Sequence, residues 1–267
     1  MSLSENLIAV IIGIVEGLTE FLPISSTGHM ILVGSLLGFE GEKASVFEVF
    51  IQLGAILSVF ILYRDKFLRM MDLRRITSTA GLSAWHVAAG IVPVALVGFL
   101  LHKPIKAFLF SPFTVIIGLI LGAVLMLAAE KFARRPVTRD VEAMTIKQAF
   151  FVGLFQILSL WPGFSRSGST IAGGLLFGLN RTAAAEFSFI IAVPLMLMAC
   201  VYDLLKVLSK LNRDDLVMIA IGFVVSFVVA YISIVWFLRF LNRSTLASFA
   251  YYRFVVAAVS YWYFFLR

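Results

Sequence analysis

Charge is scarce in this chain. Asp, Glu, Lys and Arg make up 14% of its 267 residues, hydrophobic residues make up 61%, and mean hydropathy is +1.01. A soluble domain of this length needs far more polar surface, because even a large core leaves its outside facing water. Cysteine is nearly absent. The single Cys200 lies in an apolar run, which excludes a disulfide framework and a CxxC metal site. No Walker loop, GxSxG or HExxH occurs. The N-terminal stretch lacks a basic leader and carries Glu16 inside its apolar run, so it is read as part of the mature protein rather than a cleaved signal.

What fills the chain is a series of apolar runs, several of them near the roughly 20 residues that span a bilayer as helix. The first, Asn6–Gly38, is interrupted at Leu22–Gly28; runs at Val46–Tyr63, Ala84–Leu101 and Phe113–Glu130 follow, then a charged linker, Lys131–Lys147. The pattern recurs with an interrupted segment, Gln148–Leu179, broken at Pro162–Gly168, and runs at Ala185–Leu205, Leu216–Leu238 and Ser248–Leu266. The arms beside each break are too short to cross alone and read as re-entrant hairpins, tolerated at membrane depth only where they line a polar cavity. The expected fold is an all-α integral membrane protein with six transmembrane helices plus two re-entrant helical hairpins. It forms one membrane domain made of a first repeat, 1–130, and a second, inverted repeat, 131–267.

The repeat is visible in the residues. An offset of 140 pairs Gly13 with Gly153, Leu18 with Leu158, Ser25 with Ser165, Gly28 with Gly168, Ile31 with Ile171, Gly34 with Gly174, Leu36 with Leu176 and Gly38 with Gly178. Half of these pairs are glycines, which shared hydrophobicity alone does not line up. Three crossings per half invert the second half and place the polar site where the two breaks meet. The basic residues behind a pI near 9.7 sit between apolar runs rather than in one stripe, a pattern of membrane loops and not of nucleic-acid binding. Loops around Arg64–Arg75, Lys131–Lys147, Arg181 and Arg239–Arg243 hold 13 of them, against 7 around Lys43, Lys103–Lys106, Lys206–Arg213 and Arg267. The first set is expected to be cytoplasmic, with both termini outside.

Chemistry concentrates at the breaks. Glu16 and Glu20 are four residues apart on one helix face, where two like charges repel. Such a pair persists by sharing a proton, holding a divalent cation or facing a base. Ser25-Ser26-Thr27-Gly28 has the composition of a helix start, whose free N–H groups attract phosphate. His29 follows Ser26 by three residues, on the same face. In the second break Arg166 stands among Ser165, Ser167, Ser169 and Thr170. An Arg there needs an anion, either a phosphate that suits its planar fork or Glu16 or Glu20 in an ion pair. Glu48, His86, Glu186, Asp203 and Arg253 also punctuate apolar runs and read as structural pairs or interfacial side chains.

The stretches EGLTEFLPISSTGH and LWPGFSRSG, with their spacing and the six-crossing repeat, closely resemble the bacterial undecaprenyl-diphosphate phosphatase family, also called the bacitracin-resistance protein. The resemblance covers essentially the whole chain, with no departure inside either motif. It implies a bacterial inner-membrane enzyme that converts undecaprenyl diphosphate to the monophosphate and phosphate, recycling the carrier for peptidoglycan precursors. It also implies divalent-cation dependence, an active site near the outer, periplasmic face, and function at Glu16, Glu20, Ser26, His29 and Arg166. Motifs and resemblance together assign Ser26 as nucleophile, with His29 as the alternative and as proton carrier. Glu20 with Glu16 would bind Mg2+ or Ca2+ or act as base. Arg166 would hold phosphate with Ser25, Thr27, Ser165, Ser167, Ser169 and Thr170. The expected partners are a polyprenyl diphosphate substrate and membrane lipid; the oligomeric state is open, a homodimer included. The rival is a polyprenyl-phosphate flippase or other inverted-repeat transporter, which has less use for a Ser–His–Glu cluster. A scaffold leaves the buried charges unexplained.

Overall fold

A computed structural model describes residues 4–71, 81–133, 135–207 and 213–267. Arg74, Arg75, Arg134 and Lys210, counted above among the loop charges, lie outside the described residues. Among those described, the chain is helical, with a lone bridge between Thr138 and Leu179 in place of any sheet.

The two interrupted segments fold as pairs of short helices. Helix α1 (Glu5–Thr19) starts at Ser4, whose side chain accepts from the Leu7 N–H. Its partner α2 (Ser26–Leu37) ends at Gly38 in the left-handed conformation. Between them Pro23 removes a backbone donor and steers Leu22 away from helix. We number as α3 to α7 the helices Glu42–Leu62, Arg64–Met71, Ala84–Leu100, His102–Phe108 and Pro112–Phe132. In the second interrupted segment α8 (Ile146–Gln156) opens on a Thr145–Gln148 capping box and runs into a 3-10 turn, Ile157–Leu160. After the Trp-Pro-Gly break comes α9 (Arg166–Leu176). The arms have 15, 12, 11 and 11 residues. At about 1.5 Å per residue none of them reaches the ~30 Å of a bilayer core.

Helices α10 (Arg181–Val207), α11 (Arg213–Leu241) and α12 (Ala247–Tyr261, continued to Leu266 by a π turn) complete the chain. Five helices are long and apolar enough to cross a membrane: α3, α7, α10, α11 and extended α12. The sixth expected span, α5, has 17 residues, because His102-Lys103-Pro104 starts the separate short helix α6. The short amphipathic α4 was not foreseen; its Leu68 and Met71 are exposed beside Arg64 and Arg69. Large apolar side chains on the outside, such as Val92, Leu96, Phe99, Val224, Ile232 and Val255, are exposed. A water-soluble protein does not sustain such a surface; this is a multi-pass membrane protein.

Packing crosses between the halves. Helix α1 lies against α11 and α8 against α5, while α3 meets α10 and α7 meets α12. Each hairpin's first arm is thus held by a helix from the opposite half of the chain. Phe21, beside the first break, packs edge-on to Phe189 of α10 and belongs to the main apolar core with Phe187 and Phe237. A smaller core of Ile12, Phe47, Ile51 and Met218 closes the α1–α3–α11 side.

Candidate active site

Both breaks end in the same backbone device. Ser25 and Ser165 have φ of 71° and 74°, and no other non-glycine residue among those described has a positive φ. Backbone in such a sparsely populated region costs on the order of 1–3 kcal/mol per residue. Each serine caps the helix it precedes: Ser25 Oγ accepts from the Gly28 N–H at 3.3 Å and Ser165 Oγ from the Gly168 N–H at 3.1 Å. The first-turn N–H groups that follow have no acceptor within their helix and carry the positive end of its dipole. The second break lies directly on α7. Gly163 has φ of +89°, and a Cβ there would sit 2.2 Å from the Val115 carbonyl oxygen, so only glycine fits.

The polar side chains of the two breaks converge on Glu20, the residue that ends α1. Its Oε2 accepts from the Ser26 hydroxyl at 2.5 Å and its Oε1 from Arg166 Nη2 at 2.9 Å. The ion pair is well sheltered, with 8% of the Glu20 and 11% of the Arg166 side chain exposed. Arg166 also donates to the Ser188 carbonyl at 3.1 Å and lies over the Phe21 ring, while its Nε–H is buried without an acceptor. A cavity of about 210 Å³ opens beside this group, lined by Glu20, Ser25, Ser26, Thr27, Ser165 and Arg166 together with Gln52, Ser159, Trp161 and Met196. A larger space of about 950 Å³ adjoins it through Thr27, Ser159 and Pro162, with Val46, Val49, Gly98, Ile105 and Phe110 on its walls and Glu42, His102 and Asp203 among its polar groups.

Other expected site residues stand elsewhere. His29 does not meet Ser26. Its Nδ1 is 2.8 Å from the Ser25 carbonyl, which only accepts, so Nδ1 carries the proton. Nε2 then accepts from the Tyr252 hydroxyl at 2.9 Å, and the two rings stack. Glu16 is buried at 1% exposure with Oε1 unpartnered and does not line the smaller cavity. Ser167, Ser169 and Thr170 are fully buried behind that cavity. Ser167 donates to the Leu22 carbonyl at 2.9 Å, which ties the two breaks together. Ser169 donates to the Arg166 carbonyl at 3.0 Å, and Thr170 Oγ1 lies 2.8 Å from that carbonyl and 2.7 Å from Ser188 Oγ. Sequence reasoning missed Gln52, Ser188 and Tyr252. Gln52 alone left a signal, a polar residue one turn after Glu48 in an apolar run.

A hydroxyl held by a carboxylate, beside a guanidinium with an unpartnered donor, is a set that can act on a phosphoryl group. A family model described as bacitracin resistance protein BacA matches residues 9–259. Similar curated proteins are named undecaprenyl-diphosphatase 1. Those of Bacillus thuringiensis (strain Al Hakam) and Bacillus anthracis are 50% identical over 256 residues, covering 96% of this chain and 97% of theirs. That of Bacillus cereus is 49% identical over the same spans.

Proposed function

The chain belongs to the bacitracin resistance protein BacA family, and on that premise we propose that it is an undecaprenyl-diphosphatase. It releases the terminal phosphate of undecaprenyl diphosphate and leaves the monophosphate, the activity that counters bacitracin and renews the lipid carrier for cell-wall synthesis. One observation carries this reading: Glu20 holds the Ser26 hydroxyl with one oxygen and Arg166 with the other. Ser26 Oγ attacks the terminal phosphorus and passes its proton to Glu20. The bond to the bridging oxygen breaks, and the lipid monophosphate leaves. Glu20 returns that proton to the departing monophosphate, and the regenerated carboxylate then takes a proton from water, which attacks the phosphoserine, frees inorganic phosphate and restores the Ser26 hydroxyl. Arg166 offers its unpartnered Nε–H to a phosphoryl oxygen, and the first-turn N–H groups of α2 and α9 face developing charge.

A divalent ion fits the donor set only together with substrate. Among the described residues no group of three or more His, Cys, Asp or Glu forms a cage. The buried unpartnered Glu16 oxygen and Glu20 supply hard carboxylate donors. Mg2+ is commonly bound by one or two carboxylates plus phosphate, and Ca2+ also takes oxygen ligands. Glu16 and Glu20 would hold the ion, which would neutralise charge on the diphosphate.

In the same reading α5 is a sixth crossing, the two pairs of short helices are re-entrant hairpins, and residues 131–267 repeat 1–130 upside down. The swapped packing of α1 on α11 and α8 on α5 supports this, as do the paired strained serines. The protein sits in the bacterial inner membrane with its site towards the outside. In support, the larger cavity opens among Glu42, His102 and Asp203, beside the less basic set of loops. The isoprenoid tail stays in lipid and enters between helices. Swapped inverted packing also suits a transporter, so one assay separates the two. Purified protein in detergent should release phosphate from C55 diphosphate and stop in excess chelator. A transporter needs two compartments and releases none.

A further inference from the structure

Arg253, midway along α12, is the largest fully buried side chain among the described residues, at 0% exposure. The hydrogen bonds of its guanidinium, among the described residues, run to main-chain carbonyls. Nε donates to Leu119 at 3.1 Å, Nη2 to Gly118 at 3.0 Å and to Gly163 at 2.8 Å, and Nη1 to Pro23 at 3.4 Å. Gly118 and Leu119 belong to α7, Pro23 to the first break and Gly163 to the second. One planar side chain therefore ties both breaks to each other and to a long helix. The room for it is made by glycine. A Cβ on Gly122 would lie 2.2 Å from Nη2, and one on Gly168, in the first turn of α9, 3.2 Å from Nη1. The neighbouring Tyr252 holds His29 in α2 from the same helix.

A cross-link between loops does not need a charge here. Burying a guanidinium without a carboxylate costs several kcal/mol, and an apolar side chain of similar size fills such a space more cheaply. What the charge adds is a field. The guanidinium lies behind the start of α9, where its sign matches the helix dipole and favours an anion in front.

Resting on the phosphatase reading, we propose that Arg253 is a positioning residue for phosphoryl transfer. It fixes the two breaks in register, so that Ser26 from one and Arg166 from the other face the same phosphorus, and it places an uncompensated positive charge behind the helix starts that receive the phosphate. It touches no substrate and acts through the hairpins.

The test is phosphate release from C55 diphosphate in detergent by the wild type, Arg253→Met, Arg253→Lys and Gly122→Ala, with kcat expressed per folded molecule. Arg253→Met should lower kcat about a hundredfold with KM within about threefold. Lysine keeps the charge but not the fork and should recover about a tenth of wild-type kcat. Gly122→Ala crowds the guanidinium and the adjoining Phe164 carbonyl oxygen without altering any charge and should lower kcat at least tenfold. Should the methionine variant not fold, the lysine variant decides. Thermal stability that falls while kcat per folded molecule stays at the wild-type value in that variant makes Arg253 a structural clamp and overturns the inference. A wild type that releases no phosphate overturns the phosphatase reading and this inference with it.

Discussion

The two hairpins share a backbone and divide the chemistry. At an offset of 140 residues, Ser25 and Ser165 both take positive φ and both cap a glycine N–H three residues on. The next position is Ser26 in one and Arg166 in the other; Glu16 faces Gln156, Glu20 faces Leu160, and His29 faces Ser169. Glu16 and Gln156 each leave a buried side-chain oxygen without a partner. The two acids and the Ser26 hydroxyl thus lie in the first hairpin and the Arg166 cation in the second. A strained serine cap is a way to point a helix start at a cavity, and the residue after it decides what that start does.

The sharpest way to break this division is at the position after the cap. Ser26→Ala should cut kcat at least a thousandfold while lipid diphosphate still binds. Retention of more than about a tenth of kcat, a loss below roughly 1.4 kcal/mol, moves the attack to His29 or water. On the other hairpin, Arg166→Lys should cut kcat about a hundredfold, ~2.7 kcal/mol, with little loss of folded protein. A near-normal lysine variant, or rescue of Arg166→Ala by adding Glu20→Gln, makes the pair structural instead. Glu16→Gln gives the first hairpin the residue that the second has. It should lower activity about tenfold and raise the Mg2+ or Ca2+ concentration needed for half-maximal rate. An unchanged metal titration removes Glu16 from the metal site. The smallest effect tests the shared device. Glycine relieves the strain at Ser25 or Ser165 and sacrifices only a few tenths of a kcal/mol of capping. Either Ser→Gly variant should raise Tm by about 2–4 °C in a thermal melt, and a fall in Tm shows that the caps outweigh the strain.

Much of this was legible in the residues. Apolar runs located the long helices, Pro23 and Pro162 located the breaks, and the Ser-Ser-Thr-Gly run marked a helix start that the structure places at Ser26. Glu16, Glu20 and Arg166 stood out as charges in apolar surroundings. The partner of Ser26 did not. Helical spacing pointed to His29, whereas Glu20 reaches Ser26 across the turn between helices, where periodicity carries no information. The acceptors of Arg253 were invisible for a different reason: they are main-chain carbonyls, and no side-chain pattern records them. Ser167, Ser169 and Thr170 looked like phosphate ligands by type, but helix α9 turns them inwards to the packing behind the break.

The contact between Arg166 and Glu20 bears on how the lipid leaves. In the resting protein the guanidinium already has an anion 2.9 Å away. In the proposed reaction an arriving head group meets the guanidinium at its unpartnered Nε–H, while the carboxylate keeps its place on Ser26 and Arg166. A diphosphate head presents two phosphate groups, and the shortened lipid left after cleavage presents one. On that reading the head group competes with Glu20 for the guanidinium's charge rather than for its place, and the single phosphate of the product should compete less well than the two of the substrate.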